Sequence, residues 1–533
     1  MKTAILKSML LLVVSIALTN CTVAQEKLTS EKWQADLDYL QKKVHQEYPF
    51  LFKKITQAAW DKQVADFRTE IPTLTEHEIK VGLTRMVSAF GYGHTQIPFS
   101  TLAKDAVLPV NLYHFKDGIY VEGVHKDHSN VLGAKVLAVN GFPVEEALAK
   151  IRPVVPAEND QYFKGYGLRF LTVPSILHAQ GITKNLQQQV SLSLEKEGKR
   201  FDHSFSAIPL ADMSRGYLYT IPNENWVSAR EAEQTPFYLK HLNDKYFYFE
   251  LLEGTKTLYV RQSSVFDHPD ETLRDFYTRL FEFIDTEGLE KLIYDVRLNG
   301  GGNNYNNIHF IKGIMARPKL NKKGNFFFVI GRNTFSACQN LTNDVETYTE
   351  AILVGEATSE NKNFYGDTKT VQLPNSGIKA YLSFAWWQDK PQWENADATT
   401  PNFYTEPTFE EYRTNQDPVL TLIEAIDPSD VIDPMAYFRQ LFSEGKLEQL
   451  KTESARIIRD PKYQHIDFEK EFSQVGQMLL DQQQYQPAAF VFGTFVESFP
   501  NNANFWKGLG TALQGMGQTQ QAEEAFAKAK SLE

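Results

Sequence analysis

The sequence predicts a multidomain chain built on an α/β core, with a helical region before it and helical repeats after it. Three observations carry this. From about residue 245 to 356, apolar runs of strand length alternate with amphipathic helical stretches, the pattern of a layered α/β domain. Residues 30–100 show helical periodicity with cap signals and no strand pattern. Near the C-terminus, Gly476, Ala488 and Phe492 recur as Gly510, Ala522 and Phe526, a shift of 34 residues.

Taken in order, residues 1–25 read as an export signal. Lys2 and Lys7 lead into the apolar run Met9–Leu18, which is signal-sized and too short for a comfortable membrane span. Two processing routes fit. Thr22-Val23-Ala24 suits an ordinary signal peptidase, and "LTNC" resembles a lipoprotein box with Cys21 lipidated. Both put the protein outside the cytoplasm, as a periplasmic protein or cell-envelope lipoprotein.

Residues 26–100 are expected to form a helical cap domain. Trp33, Leu37, Leu40 and Val44 share one helix face, and Thr75 with Glu78 forms a capping box for a later helix. That helix ends in "FGYGHT", whose glycines stop it and present His94. Residues 101–215 are β-rich. "DGIYVEGV" reads as a strand, and "QQQVSLSLEKEGKRF" as a hairpin. Gly133 to Leu148 resembles the strand–Asn-Gly–helix part of PDZ domains. Residues 216–430 hold the α/β core, and a helix pair over 434–458 opens the last region, 431–533. There Trp506, Leu509, Gly510, Ala522, Phe526 and Ala529 take the spacings of a tetratricopeptide repeat, and Phe472 replaces the tryptophan in the earlier copy. Such repeats imply a protein partner.

The net charge of -11 argues against nucleic acid. The two cysteines, Cys21 and Cys338, leave Cys338 unpaired once Cys21 is lipidated or removed, and Cys338 reads as a small core residue. The 12 histidines are scattered without an HExxH pair. Neither a metal nor another cofactor is expected.

Three features of the core point to chemistry. "YDVRLNGGGNN" puts Gly300, Gly301 and Gly302 after a buried strand, where backbone amides approach a ligand closely. One strand later, "RNTFSACQN" places Ser336 where the apolar run Phe326–Ile330 turns into a helix. A serine there suits a helix cap first, and otherwise a nucleophile set among backbone amides. "VGEATSENKNFYGD" is a third strand end running into a polar loop.

Together these stretches resemble the tail-specific (C-terminal processing) serine proteases over roughly residues 30–425. "YDVRLNGGG", "NTFSACQNL", "VGEATSENK", "SAFGYGHT" and "TEPTFEEYRTNQDPVL" occur in the family's order. The resemblance implies a crotonase- or Clp-like core and a serine peptidase acting through a Ser336 acyl-enzyme on peptides or proteins. The oxyanion would lie on the amides of Ala337 and of Gly301 or Gly302. Many members use a lysine just after the loop threonine, but here Lys362 comes one residue late and lacks flanking glycines. Some relatives use a cap histidine instead, which makes His94 the preferred base, since imidazole titrates near neutrality without a large shift. Glu356 or Asp367 would orient it. Arg297 reads as a structural ion-pair residue. Two other readings stay open: an inactive peptide-binding or scaffolding homologue, and a hydrolase of a non-peptide ester or amide.

Overall fold

The computed structural model describes residues 27–533. The expected signal segment and Cys21 lie outside them. Among the described residues no helix is long and apolar enough to cross a membrane. The architecture is multidomain α/β.

The N-terminal helices Ser30–Glu47 and Glu76–Ser88 form as the sequence patterning predicts, and Gln57–Glu70 adds another between them. Thr29 and Thr56 cap the first two, and Thr75 with Glu78 makes the capping box of the third. Their core is not self-contained. A hairpin of Phe364–Gln372 and Lys379–Trp387 reaches back from the α/β region and adds Val371, Leu373, Ile378 and Leu382 to it. Buried Asp36 accepts hydrogen bonds from the backbone amides of Asn375 and Ser376, both at 2.8 Å, and so fixes the hairpin's turn.

A second sheet follows, with Val110–Phe115, Gly118–His125, Lys135–Val139 and the hairpin Gln189–Lys196/Lys199–Ser206 paired antiparallel in that order. The helix Val144–Ile151 follows its central strand.

The main sheet runs Phe247–Leu251, Thr257–Gln262, Lys291–Asp295, Phe326–Ile330, Ile352–Gly355, Phe403–Tyr404. Its first pair is antiparallel and all later pairs are parallel. Phe326–Ile330 is buried along its whole length, as expected of a strand covered on both faces. One face packs on Leu273–Glu287, Asn307–Met315 and Ala337–Tyr348, through residues such as Phe276, Phe310 and Leu341. The other face carries Tyr259, Ile293, Phe327 and Val354, covered by Val419 and Ile423 of the helix Pro418–Ala425. The C-terminal helices, from Pro434–Ser443 to Thr519–Leu532, pack successively on one another and meet the sheet at its edge strand, where Phe403 lies 5.8 Å from Tyr463. Register pairs Asp295 with Val329 and Ile330 with Gly355, so three loops leave the carboxyl ends of adjacent parallel strands side by side.

Candidate active site

Those loops carry Gly300–Gly302, Ser336 and Glu356–Asn363. Ser336 precedes the helix Ala337–Tyr348 at φ 56°, ψ -129°, a conformation non-glycine residues rarely adopt, and its side chain caps nothing. The helix-cap reading therefore fails. Its hydroxyl lies 3.1 Å from Nε2 of His94, 242 residues earlier in the chain. Nδ1 of His94 lies 3.0 Å from Oε1 of Glu360. That approach is off-line, since neither atom has a well-directed hydrogen bond, and such contacts commonly tighten only when substrate is bound. The second oxygen of Glu360 accepts the backbone N–H of Ser336. One carboxylate thus touches both the base and the nucleophile's own backbone.

Glu360 is fully buried. Burial pushes its pKa well above the ordinary carboxylate range, and burial also holds His94 below ordinary imidazole. Both effects come from burial, which penalises either charge when it stands alone and is offset when the two form a pair. The Phe335 ring stacks on His94 at 4.6 Å, walling its face. Glycine is required at 93, because a Cβ there would stand 2.5 Å from Tyr162 and 2.8 Å from Phe335. Thr95 and Gln96 pin the other side of the loop to the hairpin, through Thr95 Oγ1 to Ser383 Oγ at 2.9 Å and paired backbone bonds between Gln96 and Tyr381.

A second buried acid, Glu158, joins the two loops. Its Oε1 accepts Gly93 N–H at 2.9 Å and its Oε2 accepts Asn361 N–H at 3.2 Å, so it grips the neighbour of His94 and the neighbour of Glu360 together. Burial first, and then the adjacent Glu360, push its pKa up to about 7. Ligand atoms of His94, Glu158 and Glu360 lie within 4.8 Å of one another, as do those of His77, Glu78 and His178, so either group is able to hold an ion. At the first, an ion would occupy the base.

The remaining sequence candidates go elsewhere. Lys362 points away from the serine and pairs with Glu346, both N–O distances 2.8 Å. Glu356 pairs with Arg332, which also binds Glu406 and the carbonyl of His114. Asp367 sits exposed on the hairpin at φ 45°. The N–H of Gly301 is taken by Asn299 Oδ1 at 2.9 Å. What Gly301 supplies is room, because a Cβ there would lie 2.6 Å from that of Ser336. Gly302 similarly admits Val265, whose backbone carbon would be 2.6 Å from a Cβ. Ala337 N–H donates to no acceptor among the described residues. Arg297 forms the expected ion pairs, with Asp295 and Asp417, and Cys338 is buried and free. Glu360 and Glu158 escaped the sequence reading. Glu360 had a signal, an acid between Thr358 and Lys362 on a strand-end loop, whereas Glu158 had none.

The arrangement brings a serine, a histidine and a carboxylate together on an α/β scaffold, with backbone amides at the nucleophile. In fold the chain resembles the tail-specific proteases. Mature CPAF aligns with a TM-score of 0.52 at 12% identity, over 75% of this chain and 96% of that chain. Mature CPAF complexed with lactacystin gives a TM-score of 0.52 and 12% identity, over 75% and 98%. The photosystem II D1 C-terminal processing protease aligns only loosely, with a TM-score of 0.35 and 13% identity over 74% and 99%. No protein-family profile matches the sequence, and no curated protein matches it.

Proposed function

We propose that the protein is a serine peptidase in which Ser336 attacks a peptide carbonyl, His94 is the general base and Glu360 orients and compensates the histidine. The observation that carries this is the pair of contacts on His94, 3.1 Å to the Ser336 hydroxyl and 3.0 Å to the Glu360 carboxylate. The neutral imidazole accepts the serine proton as the acyl bond forms. The resulting imidazolium faces the Glu360 carboxylate, and each charge offsets the other in a site where an isolated charge is costly. The oxyanion falls to Ala337 N–H and to an amide of Gly300 or Gly302. Donors of this kind contribute about 3 kcal/mol each. The imidazolium then protonates the leaving amine. His94 next deprotonates a water that releases the acyl group and restores Ser336. Lys362, tied to Glu346, has no part in these steps.

The fold shared with CPAF supports the reading, as do the five motif stretches and their order. On the same footing, we read residues 101–215 as PDZ-like, the core as crotonase-like, and residues 431–533 as tetratricopeptide repeats that bind a protein partner. Residues 1–25 support export to the periplasm or envelope, with Cys21 as a lipid anchor if the lipoprotein route is taken.

A fluorophosphonate probe on the full chain tests the core claim. Wild type should label at Ser336 and digest an unfolded protein substrate, while Ser336→Ala does neither and melts at nearly the same temperature. A wild type that refuses the probe makes the inactive, peptide-binding reading the better one. Labelling with ester turnover but no peptide cleavage favours the non-peptide hydrolase.

A further inference from the structure

Beside the nucleophile, on the Gly300–Gly301 side, lies a cleft of about 450 Å³. That is within the size range of ordinary ligand pockets, about 300–1,000 Å³. Two arginines line it, Arg169 and Arg215, together with the aromatic rings of Tyr166, Tyr217 and Tyr246, and no acidic residue does. The chain carries an excess of acids, yet neither arginine has a carboxylate partner among the described residues. By contrast Arg297 and Arg332, close by in the same core, each hold two carboxylates.

Arg169 makes no side-chain hydrogen bond among the described residues, and its Nε is buried without a partner. Its guanidinium lies over Phe99, 4.6 Å from the ring centre, which orients the fork and leaves its donors open. Arg215 reaches only Asn111 Oδ1, at 3.4 Å. Burial, and after it the like charge of Arg169, push its pKa down to about 10. The one acid acting on Arg215, Glu122, already accepts from Asn111, Thr220 N–H, Ser228 and Tyr412, so two guanidinium groups line one cleft with no carboxylate paired to either, an unfavourable arrangement. An anion between them removes that penalty, and the guanidinium fork matches a carboxylate in two-pronged geometry.

We propose that this cleft is a carboxylate subsite of the substrate groove, in which Arg169 and Arg215 hold a substrate carboxylate next to the Gly300–Gly301 loop. The carboxylate comes either from the C-terminus of the peptide or from an acidic side chain near the cleaved bond. This rests on the peptidase reading, since it assigns specificity to that same site.

The test measures binding to the full chain carrying Ser336→Ala, so that no turnover is needed. Two pairs of fluorescent peptides are titrated: a free C-terminal acid against its amide, and an internal Asp or Glu against Asn or Gln. In at least one pair the acidic member should bind ten-fold tighter or better, and the pair that discriminates names the source. Arg169→Gln and Arg215→Gln should each remove most of that preference, while Arg→Lys at either position keeps part of it and guards against misfolding of the first variants. Equal affinity within both pairs, no binding of either acid, or a preference that survives both Arg→Gln changes overturns the subsite. Intact probe labelling of wild type in those cases would leave the peptidase reading standing. Acid preference in a chain that never labels would sink the peptidase alone.

Discussion

The loops Gly91–Gln96 and Glu356–Asn363 each end a regular element and each bring one side chain to Ser336, but they are held in different ways. The second leaves a parallel strand and inherits its place from the sheet. Its Ser359 amide bonds Thr334 O at 3.2 Å, in the loop leaving the neighbouring strand, and Thr358 is tied to Thr399 by backbone and side chain. The first leaves a helix outside the main sheet and must borrow its place from the hairpin residues Tyr381 and Ser383. Glu158 grips both loops. A strand-end group is thus positioned by the fold's regular ladder, while a cap-borne group depends on a few specific side chains.

The largest effects should separate the touching residues from the merely nearby one. His94→Ala is expected to lower kcat/KM on the order of 10⁴-fold or more, as loss of the base does in serine hydrolases. Glu360→Gln should cost roughly 10²–10⁴-fold, the scale seen when the orienting acid of such a triad is made neutral. Lys362→Ala should change turnover less than about three-fold, because its ammonium is held by Glu346 and reaches none of the reacting groups. A dead Lys362 variant beside a near-normal His94 variant would reverse the comparison.

The same contrast explains what the sequence could disclose. The strand Phe326–Ile330 and the glycine loop were legible because apolar runs and consecutive glycines have few other uses. His94 was legible because the helix before it stops at glycines. Lys362 was misleading because distance along a loop says nothing of direction. Only Asn361 separates it from Glu360, yet one faces Ser336 and the other Glu346. The cap looked self-contained because its own helices are well patterned, whereas the strands that complete its core, Phe364–Gln372 and Lys379–Trp387, lie some 300 residues later. Glu158 was illegible for a related reason. It acts through backbone amides of Gly93 and Asn361, and backbone partners leave no mark on composition or spacing.

Glu158 sharpens the comparison at intermediate size. In Glu158→Gln one oxygen remains to accept one of the two amides, so kcat should fall by about ten-fold with KM little changed, the scale of one lost buried hydrogen bond to a charged group. A pH profile separates this from general damage. Burial lowers the pKa of His94, so the acidic limb of kcat/KM should lie below the value of about 6.5 for free histidine. With its own pKa at about 7, Glu158 is largely protonated over that limb, so the Gln variant should leave the limb nearly in place. Stability carries the opposite sign from the usual acid. The folded pKa of Glu158, about 7, lies above the ordinary glutamate value of 4.5, so the folded state binds this proton more tightly. Its contribution is then greatest below pH 4.5 and is lost as pH rises towards 7, a dependence the Gln variant should lack. A limb that the Gln variant shifts would mean that Glu158 carries its charge beside His94 in the working enzyme.

The smallest effect on chemistry should come from the most distant region. Residues 434–532 bring no group to Ser336, and repeated helix pairs contact mainly their neighbours, so the array can be removed without unravelling a remote core. It is not wholly detached, however. Phe403 of the edge strand packs on Tyr463, Asn402 Nδ2 reaches Ile432 O at 3.5 Å, and Lys462 pairs with Asp430. A chain ending at Asp430 exposes Phe403, and losing burial of one such ring costs about 1.5–3 kcal/mol. At about 2–4 °C per kcal/mol for a domain of this size, the melting temperature should drop by roughly 3–12 °C. Turnover of a small ester or peptide should nevertheless stay within about two-fold at a temperature where both chains are folded, because the ladder that positions Ser336 and Glu360 runs through Phe326–Ile330 and Ile352–Gly355, inside the sheet from the cut edge. A truncated chain that is folded by calorimetry and inactive on small substrates would show that the edge strand holds the Glu360 loop, since Thr358 N–H bonds to Thr399 O at 3.1 Å, only a few residues before Phe403. In that case both loops at Ser336 would depend on support from outside the central strands, and the contrast between them would disappear.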